Sequence, residues 1–123
     1  MFVYILRCSD DSLYTGIASD MEKRLKQHRG ELKGGAKYTH AHGVKKLEAL
    51  WETEDSSAAR KMECAVKKLK KSDKESLIKS PELLTEKYTP ALAEFVFTPV
   101  DTDILNAGIT VPQPVAAEEK SAL

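Results

Sequence analysis

At 123 residues, with 41% hydrophobic and 31% charged side chains, the chain has the length of one ordinary domain and enough apolar content to bury a core. This excludes two full domains and a wholly unstructured chain. The formal net charge of zero hides a division: residues 1–80 carry 17 Lys/Arg against 12 Asp/Glu, while residues 81–123 carry 2 against 7. A basic region suits a polyanionic partner, and an acidic remainder reads as a solvated tail or as an intramolecular competitor that screens the basic surface.

The first apolar run, Phe2 to Leu6, stops at Arg7 and is too short for a spanning helix or a secretory signal, so a cytoplasmic protein with no membrane partner is expected. Cys8 and Cys64 form no C-x-x-C pair and read as reduced thiols. FVYILRC (Phe2 to Cys8), the turn cluster SDDS and LYTGI (Leu13 to Ile17) predict a β-hairpin. Ser19-Asp20-Met21-Glu22 matches a capping box, so a helix begins near Asp20, with Met21, Leu25, His28 and Leu32 on one stripe and Gly34-Gly35 at its end. Residues 34–43 have no period and read as a loop, and Leu47 to Thr53 as a third strand. The stripe Ala58/Ala59, Met62, Ala65/Val66, Leu69 predicts a second helix, and the capping box Ser72 to Glu75 a short third one reaching about Lys79.

The expected fold is therefore α/β: a small three-stranded, mainly antiparallel sheet flanked by helices over residues 1–80. Residues 81–123 form an acidic, Pro-containing extension, disordered at least after Pro112, within which Glu94 to Phe97 is apolar enough to dock.

Candidate functional residues emerge from joint geometry. Arg24 and His28 lie one turn apart on the helix face that carries Met21 and Leu25, so both polar groups border the core. Glu63 likewise borders the stripe of its helix. Residues facing each other across an antiparallel hairpin have a constant index sum, so Tyr4 and Tyr14 share a face only if that sum is even. Pairing Cys8 with Ser12 sets Tyr4 opposite Gly16 and leaves open space on that face. Lys67, Lys68, Lys70 and Lys71, together with Lys37, form a candidate phosphate-contacting surface.

In this order the residues resemble the GIY-YIG nuclease domain. Phe2-Val3-Tyr4 stands for the first half of the name motif and Tyr14-Thr15-Gly16 for the second, with Arg24 eight residues later and Glu63 on a later helix. His28 within Arg24 to His28, and Gly35-Ala36-Lys37-Tyr38-Thr39, are similar to small stand-alone bacterial members. The chain departs from the pattern at Phe2, at Thr15, and in having no asparagine between Ser72 and Lys79; its one asparagine is Asn106. The resemblance implies endonucleolytic hydrolysis of DNA, in a setting such as repair or recombination, with Mg²⁺ or Mn²⁺ held by Glu63 and no small-molecule cofactor. It further implies that Arg24 binds the phosphate and that Tyr4 or Tyr14 accepts a proton from water, with nearby cations lowering the phenol from its usual pKa of about 10. His28 is either one of those cations or the group that orients a tyrosine hydroxyl. The same residues leave two further readings: a nucleic-acid-binding module without turnover, and a regulatory interaction protein dominated by its acidic tail.

Overall fold

The computed structural model describes residues 1–107. Strand β1 (Phe2–Cys8) pairs antiparallel with β2 (Leu13–Ala18); helices α1 (Met21–His28) and α2 (Lys37–His42) follow, then β3 (Val44–Glu52), α3 (Ser56–Lys67) and α4 (Lys71–Lys79). After three short helical turns spanning 81–92, β4 (Thr98–Pro99) and α5 (Asp103–Asn106) complete the described chain. The sheet order is β2-β1-β3-β4, so the expected three strands become four. The fourth was missed because it is two residues long and contains Pro99, which a strand tolerates only at an edge.

Each face of the sheet carries its own core. Val3 and Ile5 of β1 pack with Ala49, Trp51, Ala59, Met62, Val66 and Leu77 beneath α3 and α4, whereas Tyr4 and Leu6 pack with Met21, Leu25, Leu47 and Leu50 beneath α1. The alternation of β1 thus assigns its odd residues to one helix layer and its even ones to the other. In β3, Leu47 and Leu50 share a face although three residues apart, because the register with β1 slips between Ile5/Ala49 and Leu6/Leu47. The extra residue is Glu48, and this bulge explains why LEALWET alternates imperfectly.

Glu48 has a second use. Arg7, almost buried, donates from Nε to Glu48 (2.8 Å) and from Nη1 to Glu75 on α4 (2.6 Å), with Nη2 bonded to the other Glu75 oxygen, which ties β1, β3 and α4 together. This bidentate pair uses the carboxylate that a capping box would have needed. Helix α4 accordingly starts at Lys71, capped by Lys70 with no side-chain bond, rather than from Ser72. In α1 the cap is Asp20, whose carboxylate accepts from the Lys23 N–H at 3.1 Å, not Ser19. That helix ends at His28, leaving Leu32 exposed beyond it.

Residues 81–107 lie against both faces. Leu84 joins the core under α3, Trp51 Nε1 donates to Pro81 O at 2.9 Å, and the Val100 N–H donates to Leu50 O at 2.8 Å. The Asn106 amide accepts from Leu47 N–H and donates to Leu47 O, both at 2.8 Å, standing in for a strand partner along β3. Phe97 of the apolar Glu94 to Phe97 run packs on the core while Val96 is exposed. The disorder expected after Pro112 concerns residues outside those described. Cys8 and Cys64 are both free.

Candidate active site

The hairpin register is the first determinant of the site. Tyr4 faces Gly16 across β1 and β2, and a Cβ at position 16 would stand 2.5 Å from Tyr4 Oη and 2.6 Å from its Cζ, closer than side-chain atoms approach one another. Gly16 is therefore needed for the space it vacates under the phenol ring. The even index sum also puts both tyrosines on one side, with ring centroids 6.3 Å apart. His28 sits edge-on to both, at 5.6 Å from Tyr4 and 5.4 Å from Tyr14.

The hydrogen bonds around His28 determine where its proton lies. Thr39 Oγ1 donates its single proton to Ala36 O at 3.0 Å, so toward His28 Nδ1, at 2.8 Å, it acts as an acceptor. Nδ1 consequently carries the hydrogen, and in a neutral imidazole Nε2 is bare. That bare nitrogen lies 2.6 Å from Tyr4 Oη and accepts the phenol proton. Burial, aided by the charges of Arg24 and His40, pushes His28 down to about 4, which keeps the ring neutral. Burial likewise pushes Tyr4 up to about 12, against the hydrogen bond from Arg24; the neighbouring Tyr14 phenol and the Glu63 carboxylate add to the rise. Arg24 acts to lower the phenol, as expected of a cation, but in the free protein desolvation of Tyr4 is larger.

Arg24 is positioned by two contacts. Its Nε donates to Tyr4 Oη at 3.4 Å and its Nη1 to Gln27 Oε1 at 3.1 Å, while Gln27 Nε2 donates to Lys33 O at 3.1 Å. Positive-φ Gly34 passes so close to Gln27 that a Cβ there would meet Nε2 at 2.8 Å. A shallow recess lined by Ala18, Ser19, Asp20, Lys23, Arg24 and Gln27 opens beside the guanidinium. Gln27 and Thr39 are the participants that sequence reasoning missed. The segment Gly34 to Gly43 read as a loop, yet the Thr39–Ala36 bond and the positive-φ glycines at its ends frame α2, which carries Thr39 to His28.

Glu63 approaches from elsewhere. Helix α3 packs under the opposite face of the sheet, against β1 and β2, and Glu63 is half-buried at 20% side-chain exposure with Oε2 3.3 Å from Lys67 Nζ. Its charge makes the smallest of the contributions that raise Tyr4. Tyr4, Tyr14, Gly16, Arg24 and His28 thus form one cluster, and Glu63 flanks it without a hydrogen bond to any of them among the described residues. No group of three metal-ligating side chains occurs among the described residues. A hard divalent ion that takes one carboxylate from the protein and the rest of its shell from phosphate and water would fit such a donor set.

Of the basic residues, Lys67 is engaged by Glu63 and Lys71 lies 3.6 Å from Asp11, while Lys68 and Lys70 at the α3–α4 junction and Lys37 at the start of α2 are exposed. No helix among the described residues is long and apolar enough to cross a membrane.

Comparison with known proteins gives a consistent result. A profile of the GIY-YIG catalytic domain matches residues 1–76. A UPF0213 protein of Fusobacterium nucleatum is 41% identical over 81 residues, covering 66% of this chain and 79% of the relative. One of Clostridium perfringens is 41% identical over 87 residues, covering 71% and 91%. The solution NMR structure of a UPF0213 protein from Bacillus halodurans is 36% identical and covers 76% of this chain and 90% of the other, with a TM-score of 0.39.

Proposed function

Because the chain belongs to the GIY-YIG catalytic domain family, a nuclease family whose activity generally depends on a divalent metal, we propose that it is a metal-dependent endonuclease that hydrolyses DNA phosphodiester bonds, with DNA repair or recombination as its setting. The observation that carries this reading is the hydrogen-bonded series Tyr4, His28, Thr39 beside Arg24.

A phenol with a pKa near 12 supplies almost no phenolate near neutral pH, so Tyr4 cannot wait as a preformed base. It can act as a relay. As water attacks phosphorus, Tyr4 Oη takes a proton from that water and passes its own to His28 Nε2. The phenol ends neutral and the charge rests on an imidazolium whose Nδ1–H stays on Thr39. The incoming phosphate charge makes that imidazolium less costly than it is in the free protein. Arg24 offers N–H donors to the phosphate oxygens on which charge grows. Tyr14, against His28 and Tyr4, closes the other side of the relay. A Mg²⁺ or Mn²⁺ ion held by Glu63 would supply charge stabilisation for the leaving oxygen. Lys37, Lys68 and Lys70 would add sequence-independent phosphate contacts, with Lys67 and Lys71 contributing once released from their ion pairs.

The test is a cleavage screen of single-stranded, nicked, flapped and branched DNA with Mg²⁺ or Mn²⁺. At least one form should be cut, and Glu63→Gln should slow the reaction by about 10²- to 10³-fold, the scale of losing one transition-state electrostatic contact. No cleavage of any form, or equal cleavage by Glu63→Gln, refutes the enzyme reading and leaves the binding module.

A further inference from the structure

Three rings run in near-parallel series from the site to the surface. Tyr38 on α2 stacks on Tyr14 with centroids 5.9 Å apart and planes at 26°, and His42, one turn later, stacks on Tyr38 at 4.1 Å and 22°. His42 is fixed from its other edge by Asp10, whose carboxylate accepts from Nδ1 and also from the Ser12 hydroxyl and N–H. Despite two ring contacts Tyr38 remains 39% exposed, and the His42 side chain is 38% exposed. Nothing in the relay uses either ring. Packing alone does not account for them, since a tyrosine present only to brace Tyr14 would gain most from being covered.

The surroundings indicate what these rings could receive. Lys37 precedes Tyr38, Lys45 follows the Gly43 turn, and both are exposed; α2 contains no acidic residue, and Asp10, the carboxylate bonded to His42, is already occupied by hydrogen bonds. An exposed aromatic stack with Lys37 and Lys45 next to it in the chain, joined through Tyr14 and Tyr4 to Arg24, matches the way single strands are held, with bases stacked on rings and phosphates on basic groups.

We propose that the outer face of His42, backed by Tyr38, is a stacking platform for an unpaired DNA base near the scissile phosphate, so that the preferred substrate carries single-stranded or frayed nucleotides at the cut. The proposal rests on the DNA-cleaving reading and names the substrate class of that same site. Stacking is indifferent to base identity, so the platform selects strand structure and not sequence.

The experiment uses the full chain without divalent ion, so that nothing is cut. Two single-stranded DNA probes are compared, one bearing 2-aminopurine and an otherwise identical one abasic at that position. For the base-bearing strand, wild type should quench the 2-aminopurine fluorescence, His42→Phe should bind as wild type does, and His42→Leu should raise Kd by about 5- to 150-fold, the equivalent of one lost stacking contact. The abasic strand should bind all three proteins within about two-fold of one another, a contrast that general damage to the fold would not produce. Equal weakening on both strands, no effect of His42→Leu, or no DNA binding at all overturns the platform. Glu63-dependent cleavage with no effect of His42→Leu removes the platform alone. A base-dependent His42 effect with no cleavage of any DNA keeps the platform and removes the nuclease.

Discussion

Replacing Gly16 by alanine puts a methyl group where the Tyr4 phenol lies. The new Cβ would be 2.5 Å from Oη and 2.6 Å from Cζ, and ordinary contact begins near 3.4 Å, so the ring must retreat by roughly an ångström. Such a shift breaks the 2.6 Å bond to His28 and leaves a buried nitrogen unsatisfied. Overpacking costs about 1–3 kcal/mol and the orphaned acceptor about 1–3, against a gain of about 0.5–1 for removing a strand glycine, which nets to about 1–5 kcal/mol of lost stability. Tyr4→Leu removes the atoms that clash, so in that background Gly16→Ala should be close to neutral. Urea unfolding of the four proteins in this double-mutant cycle should give a coupling of about 1–5 kcal/mol. An equal cost of Gly16→Ala in both backgrounds would show that the glycine serves the strand and not the phenol.

Three further outcomes follow from the same geometry. His28 is neutral in the fold down to about pH 4 but protonates near 6.5 when unfolded, so its contribution is complete above 6.5 and is lost as pH falls toward 4. At 1.36 kcal/mol per pH unit this is about 3 kcal/mol; urea midpoints should decline over that window in wild type and less in His28→Gln, and parallel curves would contradict it. Thr39→Val should leave His28 Nδ1–H unpaired and slow cleavage about ten-fold, whereas Thr39→Ser should keep the rate and the Nδ1–H tautomer seen in imidazole ¹⁵N shifts; a Val variant with wild-type rate and tautomer would refute the assignment. Thr15 Oγ1 is buried without a partner among the described residues, so Thr15→Val should raise stability by about 1–2 kcal/mol in thermal unfolding, and a loss of similar size would reveal a partner.

The parts of this account legible in the sequence are those controlled by short-range periodicity. The alternation of FVYILRC and LYTGI, with the short turn between them, determined the hairpin register and so the approach of Tyr4 to Gly16. The four-residue spacing of Arg24 and His28 placed both against the same sheet face. Long-range competition was not legible. Glu75 looked like a capping residue because its true partner, Arg7, is 68 positions away. The bulge at Glu48 left only an imperfect alternation in LEALWET, and the docking of Asn106 on Leu47 depends on tertiary pairing that no local pattern records. Thr39 was named only within the Gly35 to Thr39 segment and given no role, because that segment has no periodicity and its role exists only through contact with His28. Glu63, the metal holder the resemblance implies, sits on the helix layer opposite the other groups, with its carboxylate bonded to Lys67.

The relay is tested most directly by the single-turnover cleavage rate of Tyr4→Phe, which keeps the aromatic ring over Gly16 and removes only the oxygen between water, Arg24 and His28. The rate should fall by about 10²- to 10⁴-fold with DNA affinity nearly unchanged, as expected for loss of a group that moves a proton in the transition state. Cleavage by Tyr4→Phe at the wild-type rate would contradict the account.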